Sequence, residues 1–375
     1  PQTGSRASKA SQKTQRRLRN FAPGAKDAAP MQFGRLLSAA ALVLLAACAG
    51  TPESVGSQSH ADTDGTQPAA NAPSTITLRI VASNTTSGNL QSYDPGDGQR
   101  ILQALKPDVA LMQEFNYGNN SPEAIRAFVD TTFGSEFSYY RETGHAQIPN
   151  GIVSRYPIID GGYWADPQTS TRSFAYAHID LPGDHDLWAI SVHLLTSGAS
   201  RRSAEAQAIV GQIRATVPAG DYVTIGGDFN TGSRTEGCVQ TLGQVFKVTG
   251  PFPADTRGNG DTSASRNKPY DWVLVSRDLD ALQAPAQLGG LTLPSGTVFD
   301  SRNFDPIGNV TPVRRGDSGA SNMQHMAVAR DFAIPVPAPV VPTEPSTTEP
   351  TVEPTLEPPP TNNVNNTRAT PPSSP

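Results

Sequence analysis

The chain is short of cysteine, short of positive charge, and without an apolar run long enough to cross a bilayer comfortably. Cys48 and Cys238 are the two cysteines among 375 residues. That excludes a disulfide framework and a metal site built on thiolates. The longest apolar stretch, residues 36–47, falls short of the ~20 residues that a membrane-spanning helix needs. Lys and Arg number 29 against 34 Asp and Glu, a formal charge of −5. Without residues 1–47 the balance becomes 21 against 33, or −12. Such a surface repels anionic polymers at long range, unless bound divalent cations reverse the local field. No linker-like composition interrupts the middle of the chain. The roughly 260 residues between 75 and 334 are therefore expected to form one domain.

The two ends read differently from this middle. Residues 1–30 are polar and basic; Met31 and Arg35 then lead into the apolar stretch, which closes on Leu45-Ala-Ala-Cys48. A charged start, a short apolar run and small residues describe a secretory signal. The closing tetrapeptide resembles a bacterial lipoprotein box, in which the cysteine is lipidated and becomes the new N-terminus. That resemblance implies an envelope-facing, lipid-anchored or secreted protein, with residues 1–30 a mis-set translation start or a long leader. Residues 48–74, rich in Ser, Thr, Gly, Ala and Pro, read as a flexible tether. From 335 to 375 the Pro/Thr/Glu/Val-rich sequence reads as a disordered, partly polyproline-like spacer.

Between them, short β-like runs alternate with a few helical segments. Residues 75–82 alternate apolar and polar; 108–112, 151–154, 173–180, 187–194, 222–226, 270–276 and 326–332 are further expected strands. Residues 98–105, 122–132 and 200–216 are expected helices, the second with Ser121 as N-cap and Pro122 at N1. Many strands with few helices suggest two packed sheets flanked by helices.

Tyr222-Val-Thr-Ile-Gly-Gly-Asp-Phe-Asn230 is the most informative segment. Residues i and i+2 of an extended chain share a side, so Asp228 and Asn230 point into one site while Phe229 turns into the core. Gly226 and Gly227 leave room for a close backbone approach. A carboxylate beside a carboxamide offers a base or metal ligand plus a neutral donor, as phosphate-ester cleavage requires. Other polar residues share this placement at the end of an apolar run: Asn84, Glu114, His193, Asp271 and His325. Loops at the ends of a rigid sheet are where sites tend to sit.

The ordered set resembles the endonuclease/exonuclease/phosphatase superfamily, which includes DNase I-like nucleases, sphingomyelinases and inositol phosphate phosphatases. The resemblance spans 76–333. It rests on Ser83-Asn84, Lys106-Pro-Asp-Val-Ala-Leu-Met-Gln-Glu114, Asn150-Gly-Ile-Val-Ser-Arg-Tyr-Pro-Ile158, Ser191-Val-His193, Gly226-Gly-Asp-Phe-Asn230, Tyr270-Asp271-Trp-Val-Leu-Val-Ser276 and His325. It implies a four-layer α/β sandwich and Mg2+-dependent cleavage of a phosphate ester, with Mn2+ or Ca2+ as other candidate ions. Glu114 is then a metal ligand, a hard carboxylate of the kind Mg2+ takes in small number, and Asn84 completes or orients that shell through its carbonyl oxygen. His325 is the general base and Asp271 orients it; Asp228 and Asn230 position the water and stabilise developing charge. His193 is an acid for the leaving oxygen or a donor to phosphate. Arg172 is a phosphate contact, where a guanidinium fork suits two oxygens, and Asn150 a further substrate contact.

One departure stands out. The family usually ends in Ser-Asp-His, whereas this chain reads Ser321-Asn-Met-Gln-His325. Either the family acid is lost, or Asp317, a few residues upstream, folds back to replace it. The implied partners are nucleic acid first, then a phospholipid or inositol phosphate, with the membrane reached through Cys48. A catalytically inactive surface-binding module is the rival from another class.

Overall fold

The computed structural model describes residues 74–86, 96–144 and 146–336. The leader, Cys48, the tether and all but the first residues of the expected tail lie outside them. The strands are β1 (Ser74–Asn84), β2 (Val109–Gln113), β3 (Ser138–Arg141), β4 (Gly151–Ser154), β5 (Ile158–Trp164), β6 (Phe174–Ile179) and β7 (Leu187–His193). They continue with β8 (Tyr222–Asp228), β9 (Asp271–Val275), β10 (Gln283–Ala284), β11 (Ala286–Leu288), β12 (Leu291–Leu293), β13 (Thr297–Phe299) and β14 (Ala327–Val336). The helices are α1 (Asp97–Leu105), α2 (Pro122–Thr132), α3 (Ala199–Thr216), α4 (Gly237–Leu242) and α5 (Arg277–Asp280).

One sheet runs β10-β14-β1-β2-β4-β3, with β13 also on β14; the other runs β5-β6-β7-β8-β9. Pairing is antiparallel in both except for β1 with β2 and β7 with β8. The two sheets face each other across a buried layer that includes Leu78, Ile80, Leu111 and Val328 from one and Ala177, Ala189, Val273 and Val275 from the other. Outside the first sheet, Leu102, Leu105, Phe128 and Val129 of α1 and α2 cover Val81, Ala110 and Met112. Outside the second, Ile209, Val210, Cys238 and Leu242 of α3 and α4 cover Ile190, Val223 and Ile225. Three apolar layers thus separate helix, sheet, sheet and helix, the four-layer α/β sandwich expected from the sequence.

Local signals account for the elements they encode. Helix α2 begins at Pro122, and Ser121 accepts from the Ala124 N–H through its side chain. Gly226 lies where the sheets come closest. A Cβ there would meet the Trp272 carbonyl at 2.6 Å and the Leu111 side chain at 2.7 Å. At Gly227 (φ 128°) the Val192 carbonyl and the Gln113 amide occupy the same space. The tail begins later than the composition suggests, because Pro335 and Val336 still pair with Thr75 and Ser74 as the end of β14. Strands β3, β5 and β10–β13 carry weak sequence signals. They are short or, in β5, interrupted by Gly161-Gly162, and pairing with a neighbour rather than intrinsic pattern makes them strands.

Candidate active site

The parallel pairs β1–β2 and β7–β8 set the geometry, because each brings two C-terminal strand ends side by side. Asn84 pairs with Gln113, just before Glu114, and His193 pairs with Asp228. Asp271 opens β9 opposite Asp228, and His325 precedes β14. Six polar side chains therefore converge at one end of the sandwich, from both sheets.

Asp228 is the hub. Its Oδ2 accepts from the Asn84 amide at 3.1 Å, and it lies 3.3 Å from His193 Nε2 and 3.5 Å from His325 Nε2. Its Oδ1 accepts from the Asn230 backbone N–H at 2.9 Å. The Asn84 amide also reaches Glu114 Oε1 at 3.3 Å, so one NH2 group bridges the two carboxylates. His325 Nδ1 sits 3.0 Å from Asp271 Oδ2, and the Asp271 N–H donates to Thr262 Oγ1. Three residues here take left-handed backbone conformations without being glycine: Thr86 (φ 54°), Glu114 (φ 52°) and Asn230 (φ 52°). Such a conformation costs roughly 1–2 kcal/mol for most residues, and Glu114 and Asn230 both line the cleft.

Burial divides the titratable groups. Asp228 is pushed up to about 7 by burial, with Asp271 adding to the rise and His325 opposing it. Burial, with help from Arg172 and His325, holds His193 well below the usual imidazole range. Burial pulls His325 the same way, but Asp271 and Asp228 outweigh it and raise this imidazole to about 9. One histidine is thus kept neutral and the other cationic. His325, expected as the base from an unperturbed imidazole, is drawn toward its cationic form by Asp271 and Asp228.

The donor set fits a hard divalent cation. Asp228 is a buried carboxylate among groups that do not neutralise it fully. His193 Nδ1 is buried without a hydrogen-bond partner, 3.9 Å from Glu114 Oε1. Asp228, Asp271 and His325 present ligand atoms within 4.8 Å of one another. Oxygen-rich, partly hydrated coordination is what Mg2+ prefers.

Four expected contributors behave otherwise. Asp317 does not reach the cleft. Its two oxygens accept from Arg100 at 2.7 and 2.9 Å, and one also takes the Arg314 N–H at 2.8 Å. The missing acid of the Ser-Asp-His ending is therefore not replaced by Asp317; Gln324 itself borders the cleft, its N–H donating to Thr86 Oγ1. Arg172 lines the cleft but is buried, and it donates to the backbone oxygens of His193 and Leu194. It pins the end of β7 more than it offers a fork. Asn150 is fully buried, with its amide on the Ser173 carbonyl, and anchors a loop behind the cleft. Asn84 turns its NH2, not its carbonyl oxygen, to the carboxylates, because Oδ1 accepts from the Thr86 N–H.

The cleft is a cavity of about 670 Å³ whose rim includes Ile148, Thr169, Leu195, Thr196, Ser263 and Tyr270. Of these, Tyr270 stood in a segment the sequence singled out, as the start of an expected strand. Ser263 belongs to an irregular Gly/Asn/Ser-rich stretch with no period, and its role appears only when it bridges to His325, whose imidazole lies 5.8 Å from the Tyr270 ring.

Comparison with known proteins adds a family. No curated protein matches the chain. Among solved structures, an endonuclease/exonuclease/phosphatase from Beutenbergia cavernae DSM 12333 is similar at 15% identity and a TM-score of 0.48, over 71% of this chain and 73% of that one. Another from Bacteroides vulgatus has 15% identity and a TM-score of 0.46, over 69% and 99%. A functionally unknown conserved protein from Enterococcus faecalis V583 has 13% identity and a TM-score of 0.47, over 68% and 98%. The model of the Endonuclease/Exonuclease/phosphatase family matches residues 89–292, more than half of the 375. The chain belongs to that family of phosphoester hydrolases.

Proposed function

We propose that the protein is a Mg2+-dependent phosphodiesterase, acting on nucleic acid as the first candidate substrate. The observation that carries this reading is the meeting of two imidazoles on one carboxylate oxygen, Asp228 Oδ2. Residues whose environments separate their protonation states make an acid–base pair. Diester hydrolysis needs both halves: a proton leaves the attacking water, and another reaches the departing alkoxide.

Glu114 and Asp228, bridged by Asn84, are the residues that would hold the cation, which supplies charge neutralisation on the phosphate oxygens. Neutral His193 accepts the water proton and His325 Nε2–H donates to the leaving oxygen; Asp271 holds His325 in its cationic form. The Asn230 N–H keeps Asp228 oriented.

A lipid or sugar-phosphate diester is the second reading. It is favoured by the rim, where the apolar Ile148, Leu195 and Ala264 alternate with hydroxyls of Thr169, Thr196 and Ser263, and by the acidic charge. The experiment is hydrolysis of bis-p-nitrophenyl phosphate, supercoiled plasmid and phosphatidylcholine-type diesters by the purified protein, with Mg2+ and with EDTA. His193→Ala and His325→Ala are each expected to lose about 10²–10⁴-fold with an unchanged circular-dichroism spectrum. Wild-type turnover in either variant, or turnover unaffected by EDTA, defeats the mechanism.

A further inference from the structure

At the opposite end of β7, a second constellation is assembled from three separate stretches of chain. His178 lies near the end of β6, Asp186 immediately precedes β7, and Asp221 immediately precedes β8. Their ligand atoms lie within 4.8 Å of one another, and His178 Nε2 is 2.8 Å from Asp186 Oδ2. His193 ends the strand that Asp186 begins. At ~3.3 Å per residue, this cluster stands about 20 Å from the active-site histidine, too far for the two to share an ion.

Trp188 makes the cluster more than an exposed ion pair. Its ring stacks on the His178 imidazole, with centroids 4.6 Å apart and planes 15° from parallel. Its indole N–H donates to Asp221 Oδ2 at 3.1 Å. One rigid, buried side chain thus orients two of the three candidate ligands, the role outer groups play around bound metals. The three groups are partly exposed, so an ion can reach them from solvent.

We infer that His178, Asp186 and Asp221 form a second divalent-metal site, selective for a borderline ion such as Zn2+ over Mg2+. One imidazole nitrogen and two carboxylates suit Zn2+, Co2+ or Ni2+, whereas Mg2+ takes oxygen ligands and keeps its waters. Two ligands at ~2.1 Å from a common ion and about 90–110° apart are separated by roughly 3.0–3.4 Å. The 2.8 Å gap between His178 and Asp186 therefore has to open by only a few tenths of an ångström. Waters complete the coordination.

The test is titration of the full-length protein with Zn2+ in excess Mg2+, followed by calorimetry and by Trp188 fluorescence. The His325→Ala background removes the imidazole from the active-site trio Asp228, Asp271 and His325, whose ligand atoms also lie within 4.8 Å of one another. One Zn2+ is expected to bind in that background with a change in indole emission. Adding His178→Ala or Asp221→Asn should each weaken it by about 100-fold or more, and Trp188→Phe by about 10–100-fold in calorimetry. Phosphodiester turnover in Mg2+ should be unchanged in the single variant His178→Ala. Zn2+ binding of equal affinity when His178→Ala is added, or none in His325→Ala, overturns the assignment.

Discussion

Asp271→Asn is the most discriminating single substitution. It keeps size and shape and removes the charge 3.0 Å from His325 Nδ1. In the native site, His325 is raised from 6.5 to about 9 although burial opposes the rise. That displacement is worth about 3 kcal/mol at 1.36 kcal/mol per pH unit. It is a net figure, with burial already subtracted, so the carboxylates together contribute more. Without Asp271, Asp228, 3.5 Å from Nε2, and Glu114 still oppose burial, and His325 should titrate about 2 units lower. An acid that deprotonates earlier loses rate at high pH first. Initial rates on bis-p-nitrophenyl phosphate from pH 5 to 9, in saturating Mg2+, should fall about 10-fold at pH 8 and much less at pH 5.5. NMR titration of the imidazole in EDTA gives the shift directly. If His325 is instead the base, the same lowering extends activity toward acid pH and leaves the alkaline side intact. That profile, or a titration moving by less than half a unit, would refute the reasoning.

Three further outcomes follow from particular contacts. Asp317→Ala removes two of the oxygens that hold the Arg100 guanidinium and leaves Asp97 as its carboxylate partner. It should destabilise the fold by about 1–2 kcal/mol in urea unfolding, yet leave the Mg2+ dependence of turnover per folded molecule unchanged. Gly226→Ala puts a methyl within 2.6 Å of the Trp272 carbonyl and 2.7 Å of Leu111, so the sheets must part. A loss of about 3 kcal/mol or failure to fold is expected, and a melting temperature within a degree of wild type contradicts the close packing. The proposed lipid anchor predicts that bacterial expression yields membrane-associated protein labelled by a fatty-acid analogue, and that Cys48→Ser abolishes both label and association. Equal labelling of that variant removes the anchor from the reading.

The site was legible where chemistry and local geometry coincide. Asp228, Asn230, Glu114, His193 and His325 each follow or precede an apolar run, and parallel pairing of such runs aligns their ends. Alternation along a strand is enough to say that Asp228 faces the site while Phe229 faces the core, and the structure buries Phe229 against α3 and α4 accordingly. Arg172, Asn150 and Asp317 were misjudged for a common reason. A polar side chain at a strand edge or loop looks the same in sequence whether it meets substrate or a neighbouring backbone carbonyl or guanidinium. Only the partner distinguishes these, and the partners lie far along the chain: Arg100 for Asp317, the end of β7 for Arg172 and Ser173 for Asn150.

By itself the sequence determined the order of the principal strands and the three longer helices, the two glycines that let the sheets close, and the residue types able to cleave a phosphoester. Short-range sterics, strand alternation and ligand chemistry are properties of neighbouring residues, so they can be read without a fold. The tertiary structure alone decided which histidine is kept neutral and which cationic, and which polar groups are anchors. It also decided that His178, Asp186 and Asp221 meet beneath one tryptophan. Those outcomes depend on burial and on through-space fields between residues tens to hundreds of positions apart, which no local pattern encodes.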